Sequence, residues 1–188
     1  SAGSMTLIKT LTASSSSTLS FVDGSSSVVL DNTYPVYLFK YINIHPATDN
    51  ADFTVNFSTD GGSNYNLNKT TAWYGAYNKE SGGTPALSKE TANDLVNSSS
   101  YQILAKDPHA SDADGSICGE LFLFSPSSTT FVKHFLGVSQ YYHKSNYSNN
   151  HRAAGYFNTT SAIDEIQFKM NSGDIDAGTI KLYGLKDS

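Results

Sequence analysis

Residues 36–44 read VYLFKYINI, and the alternation in that stretch decides the fold class. Val36, Leu38, Lys40 and Ile42 project to one side of an extended chain, and Tyr37, Phe39, Tyr41 and Asn43 to the other. Side chains in a strand point to opposite faces with a period of two. Apolar residues on both sides therefore predict a strand covered on both faces. The same period recurs in both directions along the chain. Residues 6–12 (TLIKTLT), 18–22 (TLSFV) and 27–31 (SVVLD) precede it. DFTVNFS (52–58) follows, with Phe53, Val55 and Phe57 on one face. Further runs are TAWYGAY (71–77), YQILA (101–105), ICGELFLF (117–124), TFVKHFLGV (130–138) and IDEIQFKM (163–170).

The connections read as turns. Asp60-Gly61-Gly62 tolerates positive φ and predicts a hairpin from 52–58 into SNYNLN. Near the C-terminal end, Ile166, Phe168 and Met170 point one way, residues 171–174 turn, and Ile180 and Leu182 return on a matching face. This predicts a hairpin, with Gly178 and Gly184 allowing a bulge or close backbone approach. Only KETANDLVN (89–97) has helical character, and it is short and weakly amphipathic. Ten or so short strands with at most one short helix predict an all-β fold: an antiparallel β-sandwich of jelly-roll-like form. Residues 1–4 read as a cloning remnant ahead of Met5. Residues 5–188 read as a single domain with an insertion around 78–100.

Composition narrows the functional classes. The chain has 188 residues, enough for one substantial core. Only 15 % of them are charged, below the ~25 % of an average soluble domain. Twelve Tyr and ten Phe, spread along the length, oppose disorder despite the Ser-rich stretches. Net charge is −5 and no basic stripe exists to neutralise phosphates, so no nucleic-acid partner is expected. Nothing approaches eighteen consecutive apolar residues, so no membrane-inserted helix is expected. No apolar signal region follows Met5, which argues against secretion. The single Cys118 excludes an intramolecular disulfide, and its apolar run predicts a buried, inert thiol.

The sequence nominates no catalytic residue, metal or cofactor. DPHASDADGSICGE (107–120) fails as an EF-hand: with Asp112, Asp114 and Gly115 at loop positions three, five and six, Ala110 and Leu121 fall where ligands are required. The five histidines lack metal-ligand spacing. Gly137-Val138-Ser139-Gln140-Tyr141 begins like a nucleophile elbow but lacks the closing glycine. Sugar binding has better candidates. Trp73, Tyr74 and Tyr77 with Asn78, and Tyr141, Tyr142 and Tyr147 in the loop QYYHKSNY (140–147), offer aromatic faces beside amides. Trp73 fits equally as a core anchor. Tyr-rich loops also serve protein contacts.

Four stretches carry a family resemblance. The ending AIDEIQFKMNSGDIDAGTIKLYGL (162–185) and the opening MTLIKTLTASSSSTLSFVDG (5–24) resemble a family of tailed-phage virion structural proteins abundant in marine phages. LDNTYPVYLFKYINIHPATDNADFTVNFSTDGGSNYN (30–66) and GELFLFSPSSTTFVKHFLG (119–137) are similar to segments of the same family. The resemblance implies a bacteriophage virion component, in capsid, neck or tail, that is not an enzyme. Its partners would be other virion proteins and itself. Exposed sheet edges need partners, so a closed homo-oligomer such as a trimer is expected. A receptor- or glycan-binding module at a particle's surface is the alternative. Residues 71–115 match no part of that family.

Overall fold

The computed structural model describes residues 4–111 and 113–186, so Asp112 of the failed calcium motif lies outside the described residues. In chain order the strands are β1 (Ser4–Thr12), β2 (Leu19–Val22), β3 (Val36–Pro46), β4 (Phe53–Ser58), β5 (Lys69–Lys79) and β6 (Ala86–Lys89). They continue with β7 (Gln102–Ala105), β8 (Ile117–Phe124), β9 (His134–His143), β10 (Tyr147–Phe157), β11 (Glu165–Met170) and β12 (Ile175–Lys186). All pairings are antiparallel. Eight strands form one sheet in the order β1-β12-β3-β8-β9-β10-β5-β6, and four form the other, β2-β11-β4-β7. The all-β antiparallel sandwich is as the alternation predicts. With twelve strands divided eight and four, it is broader than the eight-stranded jelly roll.

Aromatic packing between the sheets sets the core. The Phe168 ring lies 5.8 Å from both Phe39 and Phe53, 6.4 Å from Phe21 and 6.5 Å from Tyr41. Phe57, Phe135 and Phe157 form a second cluster at one end, with centroids 4.6–5.6 Å apart. Each ring occupies an inward position of its strand and is fully buried. The pleat therefore converts a one-dimensional alternation into one apolar layer.

Several connections differ from the sequence reading, for one shared reason: alternation specifies a face but not a partner. The terminal pair β11 and β12 is no hairpin. β11 pairs with β2 and β4 in the narrow sheet, and β12 with β1 and β3 in the wide one. Residues 171–174 cross between layers, so Ile166, Phe168 and Met170 look across the core toward Ile180 and Leu182. Asp60-Gly61-Gly62 likewise leads from the narrow sheet into β5 of the wide one, with Gly61 and Gly62 at φ +70° and +74°. SVVLD and SNYNLN form no strand. The expected helix over 89–97 reduces to one 3₁₀ turn at Thr91–Asn93.

The insertion around 78–100 instead seals a sheet edge. β6 pairs with Tyr74–Tyr77 of β5. Beyond it, Leu95 O accepts from Thr71 N (2.8 Å), and Ser98 exchanges both backbone bonds with Lys69. Thr71 Oγ1 accepts from Leu95 N (2.9 Å), and Asp94 Oδ1 from Trp73 N (2.6 Å). An otherwise open row of backbone groups is thereby satisfied.

Polar groups are buried at specific points in this core. Lys69 is fully buried; its ammonium donates to Asn56 Oδ1 (2.7 Å) and Leu67 O (3.0 Å), and burial lowers its pKa to about 7. Lys133, also buried, donates to the carbonyls of Ser128, Thr159 and Ser161, tying two loops together. Glu165 is fully buried against Gly62, with the Tyr65 side chain as the polar neighbour of its carboxyl. Burial pushes its pKa up, and the nearby Asp164 and Asp60 carboxylates add to the rise.

Two stability measurements follow from this packing. Phe168→Ala removes the ring at the centre of the aromatic layer and is expected to cost about 3–5 kcal/mol in urea unfolding. For Glu165 the folded state holds its proton more tightly than the unfolded chain. Its contribution is therefore favourable below the ordinary glutamate pKa and is lost as pH rises through the raised value. Glu165→Gln should raise Tm by about 2–4 °C at pH 8, the shift that ~1 kcal/mol gives a chain of this size, and by nothing at pH 4.

Candidate functional site

The narrow sheet covers the inner face of the wide one, and among the described residues no third layer of strands or helices covers the outer face. VYLFKYINI is accordingly covered by a second sheet on its aromatic side alone. Leu38 on the other side is buried by its neighbours within the sheet. Register partners give that outer face a graded composition. Leu7, Tyr183, Leu38, Phe122, Leu136, Ala154 and Ala72 are successive cross-strand partners, an apolar row over seven strands. Met5, Leu185, Val36, Phe124, His134 and Tyr156 form the adjacent row. Leu7 and Leu136 are each about half exposed, and Phe131, beside Phe124 and His134, is 73 % exposed. The next row turns charged: Lys181, Lys40, Glu120, Val138, Arg152 and Tyr74.

Beyond the charged row, the far end of the sheet is amide- and hydroxyl-rich. Asn78 of β5, Ser148 of β10 and Tyr142 of β9 are register partners, with Gln140 and Asn150 forming the row before them. Asp114 and Ser116 on one side and the 143–147 turn on the other border these positions. The resulting cleft encloses about 560 Å³ and is lined by Asn78, Lys79, Glu80, Asp114, Gln140, Tyr142, Asn146, Tyr147 and Ser148, among others. Gln140 Nε2 donates to Ser148 Oγ (2.9 Å), and the Tyr142 hydroxyl donates to Asn146 Oδ1 (2.9 Å). His109 stacks on Tyr142 at 4.9 Å. Lys79 lies 5.3 Å over the Tyr147 ring.

The inner side at the same end carries a buried polar cluster. Trp73 is 0 % exposed and stacks on His151 at 4.0 Å. The Tyr141 hydroxyl accepts from Lys106 N (3.1 Å) and Asn149 Nδ2 (3.2 Å) and lies 2.8 Å from His151 Nδ1. Having accepted two bonds, the hydroxyl gives its single proton to His151, whose own proton is therefore on Nε2. Burial lowers the His151 pKa to about 4 and raises that of Tyr141. The imidazole is neutral and weakly basic at pH 7. This geometry ties β9, β10 and the Lys106 backbone together in register.

Of the six aromatics nominated for ligand contact, the structure brings Tyr142 and Tyr147 to the cleft, whereas Tyr141 borders it but buries its ring in the inner cluster. Tyr77 stacks on Tyr147 (5.2 Å), which stacks in turn on His143 (5.2 Å). Tyr74 is on the outer face beside Arg152, away from the cleft. Trp73 is no stacking platform, because its indole is enclosed under His151 and the strand-sealing insertion. Asn78, Gln140 and Asn146 belong to the two stretches nominated from the sequence, whereas Ser148 was missed. The signal was an alternation over 147–157, hidden because inward Asn149 and His151 look as polar as their outward neighbours. Cys118 also departs from expectation: it is half-buried on the outer face, its thiol bonded to Asn43 Oδ1 (3.4 Å).

Among the described residues, no group of three His, Cys, Asp or Glu is arranged to hold a metal. No helix among them is long and apolar enough to cross a membrane. Comparison with protein-family models, curated proteins and solved structures gives no match to this chain. The buried cluster is directly testable. A histidine NMR titration should find His151 neutral at pH 6, and Tyr141→Phe should cost about 1–3 kcal/mol by stranding its three partners.

Proposed function

We propose that this chain is a non-enzymatic virion structural protein that works by assembly, packing its apolar outer rows on a second copy of itself. The observation that carries the reading is the pair of adjacent rows, apolar but for His134, running across seven and six strands of the outer face. A flat apolar surface of that extent on a sheet is a feature of interaction sites. Two sheets meeting face to face pack about 10 Å apart with interdigitated side chains, and such burial offsets the exposure of Leu7, Leu136 and Phe131.

Charge supports a second copy as the occupant. The row bordering the apolar surface carries Lys181, Lys40 and Arg152 against Glu120 alone, whereas the whole chain is −5, so the remaining surface is acidic. An acidic corner exists where Asp60 and Asp23 lie close enough to Asp164 to add to the rise of its pKa, which burial begins. Basic row against acidic corner adds a second contact, between two different patches, and contacts of that kind form rings where their rotation closes. The resemblance of four segments to phage virion proteins favours the same reading and supplies the particle context.

Light scattering behind a sizing column tests it. The wild type is expected as a closed oligomer at tens of micromolar, and Leu136→Asp, on an exposed position that does not affect folding, as the 20.3 kDa monomer. A wild-type monomer would reject self-assembly, and absence of the chain from purified particles by mass spectrometry would reject the virion role.

A further inference from the structure

We infer that the cleft at the polar end of the wide sheet is a binding site for a neutral saccharide. It lies on the same face as the apolar rows but beyond the charged row, so it stays open when those rows are covered. The inference is independent of the assembly reading.

The chemistry of the lining selects the ligand. Asn78, Gln140, Asn146 and Ser148 present amides and a hydroxyl, groups that both donate and accept. A sugar hydroxyl does both at once, so each can be matched without a proton transfer or a counter-charge. An anionic ligand would need free cations. Lys79 is the cation of the cleft, and it is over the Tyr147 ring and offset by Glu80 and Asp114 in the same lining. Phosphate, sulfate and uronate are therefore disfavoured. Tyr142 adds an aromatic surface for the C–H face of a pyranose, with His109 stacked behind it at 4.9 Å and outside the lining.

The site is also built in advance. Gln140, Tyr142 and Ser148 stand on adjacent strands, and their side chains are already oriented by the Gln140–Ser148 and Tyr142–Asn146 hydrogen bonds, both 2.9 Å. Asn150 Nδ2 reaches Gln140 Oε1 at 3.5 Å and extends the relay. Side chains ordered before binding lose little entropy on binding. The volume of about 560 Å³ falls within the ~300–1,000 Å³ of small-molecule sites.

A microbial glycan array carrying neutral and acidic saccharides, followed by calorimetry with the strongest neutral hit, tests the inference. Binding to neutral saccharides with Kd of about 1 mM or tighter is expected, weakened at least ~10-fold by Gln140→Ala and by Asn78→Ala. Leu136→Asp, on the assembly rows, should leave the affinity unchanged, which separates this result from the assembly test. Tyr142→Phe should retain most of the binding and Tyr142→Ala should lose it, if the ring is the platform. Silence across the neutral array, binding confined to acidic glycans, or affinity untouched by both amide variants would overturn the site.

Discussion

The Phe168 ring, touching Phe21, Phe39, Tyr41 and Phe53, joins two sheets of unequal width, and most other features follow from that inequality. Four strands cannot cover eight. The inner face of the wide sheet is completed at one end by the strand-sealing insertion and the buried Trp73–His151–Tyr141 cluster, where Asn149 and Lys106 N supply the bonds that apolar packing does not. Among the described residues no third layer of strands or helices lies over the outer face, whose composition runs from apolar rows to an amide-rich end.

Buried polar groups have a consistent role in this arrangement. Lys69 and Lys133 each place an ammonium among carbonyl or amide oxygens at a junction between a strand and a loop. A misdocked loop would leave a buried cation unsatisfied, at a cost well above that of a lost apolar contact. These bonds specify the packing of one loop on one strand. Glu165 is the exception, a buried carboxyl beside Tyr65 with no cation near it, set against a glycine that alone fits both the positive φ and the space.

The outer face separates two kinds of contact along one set of strands. Apolar rows at one end suit a large, dry surface, whereas amides, hydroxyls and Tyr142 at the other suit a small, wet ligand. The charged row between them keeps the two from merging into one sticky sheet.

The extended segments, their inward residues and the absence of substantial helix could be read from the chain alone, because a period of two is local and each strand declares its own faces. Phe53, Val55 and Phe57, or Tyr37, Phe39 and Tyr41, needed no partner to be recognised as core. Which strand lies beside which could not be read, since pairing is a long-range choice that alternation leaves open: β11 and β12 look like a hairpin and belong to different sheets. β10 was invisible for a related reason. Its inward Asn149 and His151 are made tolerable only by Tyr141, which arrives from another strand. The cleft and the apolar rows exist only once eight strands fix their register, because both are built from residues adjacent across strands and remote along the chain.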